Sequence, residues 1–292
     1  MAIATVNPAT GRRIRSYREH SRREMDSALA RAGTAFGAWR ARSFADRSRA
    51  LRSVAAVLRR RAPALARLAT DEMGKPLAEA LAEVQKCCLA CEYYARHARA
   101  FLSDERPPGS PGRSRVVFEP MGPVLAVMPW NFPYWQVFRA AAPALMAGNT
   151  MLLKHASGVT GCAKAIGEVF AGAGLPKGVF QTLVIASGRV AGLVADPRVK
   201  AVTLTGSTQA GRAVAAQAGA AMKKGVFELG GSDAYIVLAD ADIDRAAEVC
   251  AFSRLINAGQ SCISAKRFIV VRSVARAFTE KFAARVAARR VG

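Results

Sequence analysis

The chain has 292 residues, 51% of them hydrophobic, with a mean hydropathy of +0.12 and a formal net charge of +22. That length suits one large domain or two smaller ones, and the apolar content excludes a compositionally disordered chain. The charge admits nucleic acid or an anionic surface, but Arg12, Arg23, Arg59, Arg113, Arg212 and Arg285 are scattered and no basic tract is interleaved with aromatics, so no nucleic-acid partner is expected.

The first residues carry no apolar stretch of the kind a signal peptide needs. Residues 22–70 place Met25, Leu29, Ala32, Phe36, Leu51, Val54, Val57 and Leu58 at helical spacing, and a further helix is predicted over 77–101. Arg106 to Gly112 is a loop by its proline and glycine content. Val116 to Pro120 reads as a strand and Val124 to Met128 as a buried one. Pro120 to Phe138 holds no charged residue, yet Pro120, Pro123, Pro129 and Pro133 break any helix and Asn131 sits mid-run. Buried strand and loop are therefore expected there, and no membrane span.

From that point strand and helix alternate. Strands are predicted at 151–153, 179–184, 201–204, 226–229, 235–238 and 268–271, and helices at 158–171, 188–195, 208–219, 243–257 and 274–290. Such alternation predicts an α/β fold, a parallel sheet covered by helices. The six cysteines lack the spacing of a small secreted scaffold. Cys88 and Cys91 form a lone C-x-x-C in a helical pattern with no second ligand pair, so no metal is expected, and a reducing, cytoplasmic setting fits best.

Several residues carry chemistry. Cys262 follows the end of a predicted helix in a polar Gly259-Gln260-Ser261 loop; a thiolate there attacks aldehydes and leaves readily from an acyl intermediate, while an ordinary loop cysteine is the plain alternative. Glu228 ends an apolar strand before Leu229-Gly230-Gly231. Burial at a strand end would raise its pKa and suit it as a general base; a salt-bridged strand-end carboxylate is the alternative. Asn131, between Trp130 and Phe132 and flanked by two prolines, can donate to a developing oxyanion or simply bond its own backbone. Lys154 closes the Met151–Leu153 strand ahead of Ser157, a cation and a hydroxyl suited to the hydroxyls or phosphate of an adenosine ribose. Gly206 and Ser207 follow the next strand but one, where the amides and Ser207 can cap a helix and bind pyrophosphate, although the run is not G-x-G-x-x-G.

In this order, Pro129-Trp130-Asn131-Phe132-Pro133, Leu153-Lys154-His155-Ala156-Ser157, Thr205-Gly206-Ser207-Thr208, Glu228-Leu229-Gly230-Gly231 and Gly259-Gln260-Ser261-Cys262 resemble the aldehyde dehydrogenase superfamily, from near Val6 to Gly292. The wording of Phe132 to Arg139, Glu228 to Asp233 and Gln260 to Arg267 is similar to the succinate-semialdehyde dehydrogenase branch. The resemblance implies a small-molecule aldehyde substrate and NADP or NAD as cofactor. Cys262, Glu228, Asn131 and Lys154 would serve catalysis. Trp130, Lys154, Ser157, Gly206, Ser207, Leu229 and Gly230 would meet the cofactor, and Arg139 with Trp135 the substrate, Arg139 holding its carboxylate. Cys262 would attack the aldehyde, Asn131 and the Cys262 N–H would hold the oxyanion, and Glu228 would activate water. Ser157, where NAD-preferring relatives often carry a glutamate, implies NADP at least equal to NAD.

Family chains run past Gly292, which lies 30 residues after Cys262, so a C-terminally truncated chain is expected. The implied layout is a nucleotide-binding domain over 1–228, including an oligomerisation hairpin near 113–138, and the start of a catalytic domain over 229–292. The full-length family implies a homodimer or homotetramer. Three rivals remain: a dehydrogenase for another small aldehyde, a non-catalytic fragment that at most binds nucleotide, and a basic nucleic-acid binder, which would show salt-sensitive DNA retention.

Overall fold

The chain opens with an antiparallel pair, β1 (Ala2–Val6) and β2 (Arg13–Arg18). In this computed structural model, residues 2–109 and 114–290 are described. Three helices and a parallel sheet follow, and the chain divides into two units, Met1–Glu228 and Leu229–Gly292. The opening pair is absent from the sequence expectations. Only Thr5 and Tyr17 among its residues are buried, so period-two alternation hardly registers.

Helix α1 (Arg22–Arg40) starts on a full capping box: the Ser21 hydroxyl accepts from the Glu24 N–H, and the Glu24 carboxylate accepts from the Ser21 N–H. Helix α2 (Phe44–Met73) starts on Ser43 and ends on Gly74 at φ +78°, a left-handed stop that suits glycine. The 22–70 stretch is therefore two helices, split where Ser43 caps the second. Helix α3 (Leu77–Phe101) has its predicted bounds and packs Val84, Cys87 and Cys91 into the same core as Leu51, Val54 and Leu58 of α2.

The sheet is built from β3 (Pro123–Met128), β4 (Thr150–His155), β5 (Phe180–Leu183), β6 (Ala201–Thr205) and β7 (Lys224–Glu228), in the order β5-β4-β3-β6-β7 with every pairing parallel. Helix α4 (Trp135–Met146) joins β3 to β4, α5 (Thr160–Gly172) joins β4 to β5, α6 (Val190–Ala195) lies before β6, and α7 (Thr208–Ala220) joins β6 to β7. The chain moves one way across the sheet for β3, β4 and β5, then returns past β3 to add β6. With right-handed crossovers this puts α4 and α5 on one face and α7 on the other, and makes the β3–β6 gap the switch point of a doubly wound fold. Met151, Leu152 and Leu153 are fully buried, as expected of a strand covered on both faces.

The hairpin expected over 113–138 is not what forms. Arg113 lies outside the described residues, as do residues 110–112 of the predicted loop. Val116 makes only an isolated antiparallel bridge with Glu105, 123–128 is a parallel inner strand, and the run turns helical at Trp135. The strand predicted at Val116 to Pro120 is likewise reduced to that bridge. Pro133 ends the turn before α4, where a proline costs nothing to a helix that has not yet begun.

In the second unit, β8 (Asp233–Val237) and β9 (Ala265–Val270) pair in parallel through α8 (Ile243–Leu255), and α9 (Arg272–Ala287) follows. Val237, Ala247, Cys250 and Phe278 form its core, with Phe268 and Phe282 packed against them. The helix predicted to 257 stops at Leu255, because Asn257 and Ala258 take left-handed φ values of 58° and 54°. No helix among the described residues is long and apolar enough to cross a membrane.

Candidate active site

Because the sheet is parallel, the strands β3, β4, β6 and β7 all end on one edge, and the predicted residues of the first unit collect there. Asn131 and Trp130 lie in the turn after β3, Lys154 and Ser157 at the end of β4, Gly206 and Ser207 after β6, and Glu228 at the end of β7. This is the edge where open α/β sheets hold ligands. Trp130 is 46% exposed, and Trp135 opens α4 with the Lys86 Nζ 4.0 Å from its ring centroid.

Lys154 is buried at 5% exposure, and its Nζ donates to the Ser187 hydroxyl at 3.1 Å. Burial pulls its pKa below the ordinary lysine value. Ser157 is exposed and begins a single 3-10 turn leading into α5. The Ser207 hydroxyl accepts from the Ala210 N–H at 3.2 Å, capping α7. The Gly206 N–H donates to the Glu228 carbonyl at 3.0 Å, so that amide, expected to face a pyrophosphate, is engaged in joining β6 to β7.

Glu228 departs from expectation. Its side chain is 53% exposed and lies 3.5 Å from Arg139 Nη1, so the expected burial is missing. The reason is topological: β7 is the edge strand, leaving one flank open. Arg139 projects from α4, is 35% exposed, and also donates to the Thr205 hydroxyl at 3.4 Å. The salt-bridged alternative is the arrangement observed.

Four residues that hold this edge in place escaped the sequence reading. Glu83 Oε1 accepts the Tyr134 and Trp135 N–H groups, each at 2.8 Å, at the start of α4, and its other oxygen pairs with Lys75. Both members of that pair are essentially unexposed, and the Lys75 Nζ sits 4.3 Å from the Phe132 ring centroid. Burial pulls the Lys75 pKa down. Glu72 caps α5 in the same manner, accepting from the Gly161 and Cys162 N–H groups at 2.9 Å each. Its pKa is raised, by burial first, with those two bonds opposing. His155 joins the two loops: its Nε2 lies 2.8 Å from the Pro133 carbonyl while its Nδ1 accepts from the Ala156 N–H at 2.9 Å. The Nδ1 role leaves the proton on Nε2, and burial lowers the pKa to about 4, so the ring is neutral near pH 7. No local pattern marks these side chains, since the backbone groups that Glu83 and Glu72 hold lie 51 to 90 positions away and the Pro133 carbonyl lies 22 from His155.

Gly161 leaves room for the Glu72 cap. A Cβ added there would lie 2.5 Å from Glu72 Oε1 and 2.7 Å from the Tyr17 hydroxyl. Gly161→Ala is expected to cost about 1–3 kcal/mol by overpacking, read as a lowered urea midpoint; an unchanged midpoint would show that the cap is loosely held.

In the second unit, Cys262 lies in the turn before β9. Cys87, Cys88, Cys91, Cys162 and Cys250 are buried and their thiols are pushed up by burial, whereas Cys262 is half-buried. The Lys266 Nζ donates to the Cys262 and Gly231 carbonyls, both at 2.7 Å, tying the thiol loop to the Leu229-Gly230-Gly231 segment. Ahead of the thiol come three successive left-handed residues, Asn257, Ala258 and Gly259, of which the two non-glycines store strain. Arg254 steadies them by donating to the Gly259 carbonyl and the Ser264 hydroxyl at 3.2 Å. Among the described residues no group of three or more His, Cys, Asp or Glu is set to hold a metal ion.

The chain is 50% identical over 292 residues to a probable succinate-semialdehyde dehydrogenase [NADP(+)] of Synechocystis, covering 100% of this chain and 64% of that protein. It is 44% identical to a succinate semialdehyde dehydrogenase [NAD(P)+] of Escherichia coli, over 99% of this chain and 62% of the relative. The crystal structure of succinic semialdehyde dehydrogenase from Streptococcus pyogenes with NADP+ superposes with a TM-score of 0.94 at 38% identity, covering 97% of this chain and 63% of that one. The chain thus spans a little under two thirds of the length of these relatives. The aldehyde dehydrogenase family model matches residues 1–292, and the chain belongs to that family.

Proposed function

We propose that the chain carries the cofactor-binding and nucleophilic parts of an NADP-dependent oxidation of succinate semialdehyde to succinate. The observation that carries this reading is Lys154, a buried cation at the ligand-binding edge whose hydrogen-bond partner is a hydroxyl, with the exposed Ser157 three residues on. A buried cation partnered by a hydroxyl is suited to receive a negative charge from a ligand, and a serine at the mouth of the same strand leaves space and a donor for a phosphate. These residues therefore fit NADP, with Trp130 beside them and Ser207 at the head of α7.

Cys262 is the nucleophile, its thiolate adding to the aldehyde carbon to give a hemithioacetal. Asn131 and the Cys262 N–H donate to the oxygen that gains charge. NADP, when bound, supplies the acceptor for the hydride. Glu228 takes the proton from the water that releases the acid and frees the thiol. Arg139 binds the far carboxylate of the substrate. Its contacts to Glu228 and Thr205, at 3.5 and 3.4 Å, sit at the long limit of hydrogen bonding. Exchange of the Glu228 contact for a bidentate carboxylate frees Glu228 as the base.

The test is reduced-cofactor formation from NADP and succinate semialdehyde, beside Cys262→Ala. Turnover lost in that variant supports the reading; a folded chain that binds NADP without turnover limits it to nucleotide binding. In the same assay Ser157→Glu is expected to weaken NADP by roughly tenfold or more relative to NAD, the effect of one carboxylate set against a phosphate. An unchanged preference would remove Ser157 from cofactor choice.

A further inference from the structure

Beside the edge strand β5, residues of β2, α5 and β5 line an open cleft of about 510 Å³, among them Arg15, Tyr17, Arg18, His20, Lys164 and Glu168. That size falls in the range of small-molecule sites. Its floor is rigid. Tyr17 is 8% exposed, its hydroxyl reaches the Glu72–Gly161 cluster, and its ring is met by Arg15 at 5.6 Å and Lys164 at 5.8 Å.

The charges around this cavity do not cancel. Its carboxylate, Glu168, is taken by Arg61 at 2.9 Å, and Glu24 is taken by Arg18 through two bonds of 3.0 and 2.5 Å. Arg15 and Lys164 form no ion pair among the described residues. The His20 Nδ1 is buried without a hydrogen-bond partner, in a chain where most buried polar atoms have one. Cations brought together without an acid repel one another, and an orphaned imidazole nitrogen costs desolvation. One ligand relieves both: an anion that Arg15 and Lys164 contact and to which a protonated His20 donates.

We propose that this cavity is a binding site for a compact multivalent oxyanion of the phosphate class, separate from the cofactor edge. The site combines the planar fork of Arg15 with the point charge of Lys164, a pairing suited to phosphate oxygens. His20 adds a pH dependence. The groups that act on it are Glu24, which favours its charged form, and Arg18, Lys164 and Arg31, which oppose it; burial opposes it most. An anion in the cavity reverses the balance, so binding strengthens as the pH falls through the histidine range and the His20 titration moves upward when the site is filled.

The chain has three histidines, His20, His97 and His155, which makes their ring resonances separable by NMR. Titration with inorganic pyrophosphate is expected to give a saturable shift at His20 with its titration midpoint moved to higher pH. Arg15→Met and Lys164→Met, both at exposed positions and each compared with the parent by thermal melt, should each weaken binding about tenfold. NADP should not displace the pyrophosphate, and citrate at equal charge should bind more weakly. The proposal is overturned by an absent or non-saturating His20 shift, or by an unchanged shift in the double variant. Displacement by NADP would assign the binding to the cofactor edge instead, and equal binding of citrate would remove the phosphate assignment.

Discussion

Replacing Glu83 with glutamine lowers the stability of the first unit by about 3–5 kcal/mol, the scale for breaking a buried ion pair from one side. The glutamine keeps an oxygen for the Tyr134 and Trp135 N–H groups, so the loss isolates the charge left on Lys75. Adding Lys75→Met to the glutamine variant should restore most of the stability, because the stranded cation goes with it. Tryptophan fluorescence is a selective probe, since Trp39, Trp130 and Trp135 all lie within Met1–Glu228. A single variant as stable as the parent would show that water or Glu79 compensates Lys75. A double variant no better than the single would show that the pair acts through packing.

Acid destabilises the first unit through His155. Its pKa falls from 6.5 to about 4 on folding, burial being the first cause. Between those values the unfolded chain binds a proton that the folded chain refuses, so stability is lost as the pH drops through the window. The loss amounts to about 3 kcal/mol once the pH is below both values. His20 is also lowered by burial and adds to the slope, whereas Glu72, raised by burial, works against it above 4.5. His155→Gln should flatten the fluorescence-detected stability profile between pH 6.5 and 4 while keeping a donor for the Pro133 carbonyl. A slope unchanged in that variant would transfer the acid sensitivity to another group.

The alternation of strand and helix is legible in the sequence because inner strands such as Val124–Met128 and Met151–Leu153 are covered on both faces and read as short apolar runs between glycines and prolines. Helix α4 is not legible: Trp135–Met146 has few polar positions to mark a solvent face, and it holds Pro143 and follows Pro133. The residues that would touch ligands can be named from motifs because their types are unusual in their loops, as with Asn131 between two prolines. The residues that hold those loops cannot be named the same way. Glu72, Lys75 and Glu83 resemble ordinary helix-surface charges, and Glu83 meets its backbone partners 51 and 52 positions away. The exposure of Glu228 is not legible for a related reason: its apolar neighbours suggest burial, but the order of strands, which puts β7 at the margin, is a property of the whole sheet.

The two carboxylates at the starts of α4 and α5 stand where bound anions would. A helix mouth ordinarily attracts any small anion in solution, and three such mouths open on the ligand-bearing edge of this sheet, those of α4, α5 and α7. Glu83 and Glu72 fill two of them with charge that belongs to the protein itself. The donors at those two positions are therefore met from within the chain, and at α7 the Ser207 hydroxyl accepts from the Ala210 N–H. Two of the helix mouths on this edge thus carry internal counter-anions, supplied by α2 and α3.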